Sequence, residues 1–176
     1  MENNEISLQM DKRKLEIQYT ILQKEELSDE DKLLIEKAKS VSEGAYSPYS
    51  EFRVGAAVLL DNGEIFTANN QENTAYPEGM CAERIALFYA MAQYPKQKIK
   101  SVAVYGNPQN IELTHFITPC GGCRQVMLEC EQRGKEKMKI LLGNACNTEV
   151  LRLEGVENLL PFPFLEKKMT ATTNNI

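Results

Sequence analysis

Two hydrophobic periods alternate along the chain and divide it into elements. Leu15, Ile17, Tyr19 and Ile21 alternate with polar residues, which predicts a half-buried extra edge strand within a polar, charge-mixed lead-in over residues 1–27. Ser28 then precedes Asp29-Glu30-Asp31, an N-cap followed by an acidic first turn, and Leu34, Ala38 and Val41 recur at i, i+4 and i+7. An amphipathic helix ending near Gly44 is expected. Two β-rich runs, Arg53 to Leu60 and Glu64 to Asn69, flank Asp61-Asn62-Gly63, where Asn-Gly supplies the positive φ angles of a tight hairpin.

After a polar loop from Asn70 to Met80, the positions Ala82, Ile85, Ala86, Tyr89 and Ala90 mark a second helix. Ser101 to Tyr105 reads as a buried strand, and Pro119 halts the chain before a third helix that begins at about Cys120 and frays at Gln132-Arg133-Gly134. Met138 to Leu142 and Thr148 to Leu153 complete the strands. Strands alternating with helices predict an α/β layered domain with a mixed sheet, since the hairpin is antiparallel. Residues 166–176 read as a flexible tail.

Composition narrows the function classes. Lys and Arg number 20 against 25 Asp and Glu, a net charge of −5, which offers little of the positive field that binds a polynucleotide backbone. The longest apolar run, residues 54–60, is far shorter than the roughly 20 residues that span a bilayer. The acidic start Met1-Glu2-Asn3-Asn4-Glu5 lacks the basic and apolar regions of a secretory signal, so a cytoplasmic location is expected. Five cysteines, two of them a Cys-x-x-Cys pair, suggest metal or redox chemistry rather than a disulfide framework.

Cys81 opens the second predicted helix, and Cys120 and Cys123 open the third. All three thiols therefore stand at helix N-termini, where the dipole favours thiolate. Three soft ligands fit zinc, and three protein ligands leave a fourth tetrahedral position for water, as in a catalytic site. Glu83, two residues after Cys81, is the candidate general acid and base. For a structural zinc, a fourth ligand would have to be Cys130, Cys146 or His115, none with convincing spacing; Cys130 and Cys146 read better as small core residues.

The order Cys-Ala-Glu followed by Pro-Cys-x-x-Cys is that of zinc deaminases, with Cys in place of His. With these residues the chain resembles the short, homotetrameric cytidine deaminases. The match runs through Ala45-Tyr46-Ser47-Pro48-Tyr49-Ser50, Phe52-Arg53-Val54-Gly55-Ala56-Ala57, Asn70-Gln71-Glu72-Asn73, Cys81-Ala82-Glu83-Arg84 and Pro119-Cys120-Gly121-Gly122-Cys123-Arg124-Gln125, and closes on Leu159-Leu160-Pro161.

The resemblance implies a three-layer α/β/α domain over residues 29–165 with a five-stranded mixed sheet, one zinc per subunit on Cys81, Cys120 and Cys123, and hydrolysis of cytidine and deoxycytidine to uridine, deoxyuridine and ammonia. Residues 1–28 would be an extension. Phe52 would flank the pyrimidine, Asn70 and Glu72 would bind the ribose hydroxyls, and Ala82 would join them in contacting substrate. Phe164 would complete a neighbouring subunit's pocket, with Phe162 as its substitute. Phe162-Pro163-Phe164 and Tyr76-Pro77-Glu78-Gly79-Met80 depart from the common family pattern.

Zinc with three thiolates carries a net charge of −1 and would activate water poorly unless charge is withdrawn. The resemblance gives Arg84 that task, while Arg124 is either a second contributor or part of an exposed ion pair. Rival readings are a deaminase of modified cytosine nucleosides or nucleoside antibiotics, and a non-catalytic zinc or thiol module. Cys81 where tRNA-acting enzymes carry His argues, with the charge, against a nucleic-acid substrate.

Overall fold

The computed structural model describes residues 11–110, 116–145 and 148–165. Within them lie six strands and three α-helices: β1 (Thr20–Gln23), α1 (Asp29–Ser42), β2 (Phe52–Leu60), β3 (Ile65–Asn69), α2 (Ala82–Gln93), β4 (Ile99–Pro108), α3 (Gly121–Gly134), β5 (Lys139–Asn144) and β6 (Glu149–Glu154). The strands form one sheet in the order β1-β6-β5-β4-β2-β3, five core strands plus the extra amino-terminal one. Only β4 and β5 pair in parallel among the described strands, and α3 makes the crossover between them.

Side-chain alternation explains the layers. From β2, Ala56, Val58 and Leu60 face one side with Val102 and Val104 of β4 and Ile140 and Leu142 of β5, and there they meet Ala86, Leu87 and Ala90 of α2 and Met127 of α3. Ala57, Leu59, Ala103 and Leu141 face the other side, against Leu34, Ile35 and Ala38 of α1. The result is the expected three layers. Helix α1 comes close enough to β2 that a Cβ on Gly55 would sit 1.9 Å from the Ala38 carbonyl oxygen. The Ser28 hydroxyl caps α1, accepting from the Asp31 N–H at 3.2 Å.

At the hairpin, Gly63 takes a φ of 89°, but Asn62 does not share the positive φ expected of the Asn-Gly pair, so the glycine alone supplies it. Two expectations need correction. The amino-terminal strand is short, and the alternating residues Leu15, Ile17, Tyr19 and Ile21 are exposed rather than half-buried; Leu22 is the residue packed against the α1 layer. Helix α3 continues through Gly134, and it is Lys135, at φ 56°, that takes the left-handed turn after it. Residues 166–176, His115 and Cys146 lie outside the described residues. No described helix is long and apolar enough to cross a membrane.

Topology gathers the chemistry at one end of the sheet. Strand β2 runs antiparallel to β4, so Phe52 at its start pairs with Pro108 at the end of β4. Helix α3 has Cys120 as its N-cap, and β3 ends on the same side as the start of β2, with Asn69 paired to Gly55.

Candidate metal centre and surrounding cleft

Cys81 is the N-cap of α2 and Cys120 the N-cap of α3, and Cys123 follows one turn into α3. Their sulfurs all lie within 4.8 Å of one another, the one such group of three potential metal ligands among the described residues. The Cys81 and Cys120 sulfurs are 3.9 Å apart, and those of Cys120 and Cys123 3.4 Å apart. Sulfurs on a tetrahedral zinc with bonds of about 2.3 Å would lie roughly 3.8 Å apart, so the cluster fits the ion. Cys130 is buried between α2 and α3 in the core and takes no part.

The electrostatics favour a cation. The Cys81 thiol is pulled down to about 5, first by its hydrogen bond with Cys123 and then by Arg84 and Cys120, all against the opposing effect of burial. Cys123 is pushed up by the same bond to Cys81, with burial and the nearby Glu83 adding to it. A divalent ion bound here would offset the thiolate charge that sets the two cysteines against each other. Arg84 Nη2 lies 3.9 Å from the Cys81 sulfur and 3.5 Å from the Gly79 carbonyl oxygen.

Glu83, only 5% exposed, sits in the first turn of α2 beside these sulfurs. Burial raises its carboxyl, and the negative charge of Cys81 adds to the rise; hydrogen bonding with Cys123 and the charge of Arg84 oppose it. A buried carboxyl that holds a proton more readily than an exposed one is suited to proton transfer.

Residues 70–80 form a loop closed by a two-way backbone pairing of Gln71 with Met80, one residue before Cys81. The Asn70 side chain extends the β2–β3 ladder: its Nδ2 donates to the Phe52 carbonyl at 3.0 Å and its Oδ1 accepts from the Val54 N–H at 2.8 Å. Glu72 accepts from Tyr49 and Ser50 and lines a cleft of about 400 Å³ with Tyr49, Ser50, Asn73, Tyr76 and Gly79. Phe52 is half-buried at the start of β2, on the face that bears Val54 and Ala56, while Ala82 is fully buried at the start of α2.

Phe162 and Phe164 are 87% and 76% exposed, and the Gln125 side chain pairs with the Phe164 backbone through both its amide atoms. Arg124 makes no ion pair or sulfur hydrogen bond among the described residues. Its guanidinium donates to the Pro119 carbonyl at 2.8 Å, the Leu159 carbonyl at 2.7 Å and the Thr118 hydroxyl at 3.0 Å, bracing the turn before Cys120. Ser50 closes the Ala45 to Ser50 stretch of the family match, where residue type alone gives it no role.

Comparison with known proteins agrees with this geometry. The family model described as the cytidine and deoxycytidylate deaminase zinc-binding region matches residues 28–136. A cytidine deaminase of Halalkalibacterium halodurans is 37% identical over 138 residues, covering 78% of this chain and 96% of that protein. Another, from Sporosarcina psychrophila, is 38% identical over 121 residues, 68% of this chain and 85% of its own. The crystal structure of cytidine deaminase from Burkholderia pseudomallei superposes with a TM-score of 0.65 at 38% identity, covering 78% of this chain and all of that one.

Proposed function

The chain belongs to the cytidine and deoxycytidylate deaminase family, and on that premise we propose that its three-sulfur cluster holds the zinc of a hydrolytic deaminase acting on cytidine and 2′-deoxycytidine. Water replaces the 4-amino group, giving uridine or 2′-deoxyuridine and ammonia. The observation that carries this reading is a buried Glu83 beside three sulfurs at zinc-compatible spacing.

Cys81, Cys120 and Cys123 hold the ion. When bound, zinc supplies the Lewis acidity that makes water nucleophilic near neutral pH. Glu83 accepts the proton that the attacking water gives up and passes it to ring N3, then takes the proton of the hydroxyl now on C4 and delivers it to the departing amine. Arg84 and the positive ends of α2 and α3 offset the thiolate charge. Phe52 flanks the pyrimidine ring, Ala82 contacts the substrate beside the ligands, and Asn70 and Glu72 receive the sugar hydroxyls.

The catalytic domain spans residues 29–165, and the chain works as a cytoplasmic homotetramer in which Phe164 closes a neighbour's pocket. The exposure of Phe164 and Phe162, and of Phe88 and Tyr89 on α2, supports assembly. The test is the ultraviolet absorbance of cytidine mixed with the purified zinc-loaded protein, beside Glu83→Gln. Decay with wild type and loss of about 10²–10⁴-fold in the variant at unchanged zinc content is the expected result. A zinc-loaded wild type inert towards cytidine would overturn the assignment.

A further inference from the structure

Glu72 is clamped at both oxygens by one short stretch of chain. The Ser50 hydroxyl donates to Oε1 at 2.5 Å, while the N–H groups of Tyr49 and Ser50 donate to Oε2 at 2.8 and 3.3 Å. The same hydroxyl accepts from the Phe52 N–H at 3.1 Å. Ser50 thus links, through one oxygen atom, the carboxylate read as a sugar acceptor to the backbone of the residue read as the ring's neighbour.

The backbone is bent to achieve this. Glu51, between Ser50 and Phe52, has a φ of 55°, a left-handed conformation that L residues adopt at a disadvantage of about 1–2 kcal/mol. Its N–H donates to the Ser47 carbonyl at 3.0 Å, and its own carbonyl accepts from Gln109 at 3.1 Å, so the bend is held from both sides. A strained turn held in this way marks a place where geometry matters.

We propose that Ser50 is a positioning residue that aims Glu72 at the substrate's sugar and so sets the preference for a hydroxyl-bearing nucleoside. The proposal rests on the reading of Glu72 as a sugar acceptor. A Glu side chain in an open cleft has three torsions to freeze on binding, and a clamp on both oxygens freezes them in advance. An ionised carboxylate offers about four acceptor positions, of which the clamp fills three and leaves capacity for a substrate hydroxyl. Burial alone would raise the Glu72 carboxyl, but the bonds from Ser50 and Tyr49 outweigh it and hold it lowered, in its acceptor-only form at neutral pH. Without the Ser50 hydroxyl both remaining donors act on Oε2, and the carboxylate can pivot about that oxygen.

The test compares cytidine with 2′,3′-dideoxycytidine, which lacks the sugar hydroxyls of the ring, using the full chain loaded with zinc. Ser50→Ala is expected to raise KM for cytidine about tenfold with kcat within about twofold, and to change kcat/KM for the dideoxynucleoside less than about threefold. Ser50→Thr, which keeps the hydroxyl, restores the cytidine KM. In Glu72→Ala the preference for cytidine over the dideoxynucleoside falls to what Asn70 alone supplies, and adding Ser50→Ala changes nothing further. Equal losses on both substrates in Ser50→Ala, or an unchanged cytidine KM, would overturn the proposal. If Glu72→Ala leaves the difference between the substrates undiminished, it is the sugar-acceptor reading of Glu72 that falls. If Glu72→Ala reduces it and Ser50→Ala leaves it intact, the role of Ser50 alone is lost.

Discussion

Arg84 points its Nη2 at the Cys81 sulfur from 3.9 Å, three residues along the same helix start. Its Nε is buried without a hydrogen-bond partner among the described residues, and the same Nη2 also reaches the Gly79 carbonyl at 3.5 Å. Its charge opposes the net negative charge of a zinc tristhiolate site. Arg84→Gln keeps a donor and deletes the charge. Turnover of cytidine is expected to fall about 10–100-fold while zinc per chain stays near the wild-type ratio, measured by kinetics and atomic absorption on the same sample. Wild-type turnover would remove Arg84 from the charge balance.

Glu131 gives a pH-dependent prediction away from the metal. Burial raises its carboxyl above the ordinary 4.5, and the N–H groups of Met138 and Val156 donated to it pull it back only in part. A raised folded-state pKa contributes stability in full below the unfolded value, and that contribution is lost as pH rises through the folded value. One oxygen, Oε2, accepts from both N–H groups, at 2.9 and 3.2 Å, and an amide oxygen can do the same. Glu131→Gln should therefore gain on wild type, in melting temperature, as pH rises above the ordinary value of 4.5, by an amount worth about 1 kcal/mol at most. A variant that loses ground as pH rises would show that the carboxylate charge is itself favourable here.

The bend at Glu51 can be tested by backbone chemistry. Glycine adopts positive φ freely and a β-branched residue does not. Glu51→Val should lower stability by about 1–2 kcal/mol, whereas Glu51→Gly should match wild type or exceed it by up to about 1 kcal/mol, both read from urea midpoints.

Gly55 is a packing position. Its added Cβ would meet the Ala38 carbonyl oxygen at 1.9 Å and the Ser42 nitrogen at 2.9 Å, backbone atoms that cannot rotate away. Gly55→Ala must push α1 off β2 and should destabilise by about 2–3 kcal/mol in urea unfolding, despite the better strand propensity of alanine. A loss below about 0.5 kcal/mol would mean that α1 is free to shift.

Legibility in the sequence followed the range of the interactions. Cys81, Glu83, Cys120 and Cys123 can be read without coordinates because each lies within one turn of a helix start, where Pro119 and the apolar period announce the helix. The roles of Ser50 and Arg124 depend on partners 22 and 35 residues away, Glu72 and the Leu159 carbonyl, and a local pattern carries no such pairing. Alternation at Leu15, Ile17, Tyr19 and Ile21 tells which residues share a face and not whether anything covers it, and here the face is open. Gly134 marked the end of α3 to within one residue, but the left-handed position fell to Lys135.

The outermost place of β1 separates two kinds of change that a chain can undergo. Three strands, β6, β5 and β4, stand between it and β2, where Phe52 sits. A fluorophore or surface tether joined to an exposed residue beside β1, such as Tyr19, would sit on the far rim of the sheet, so that stretch can serve as a handle for immobilising the enzyme at a distance from Phe52.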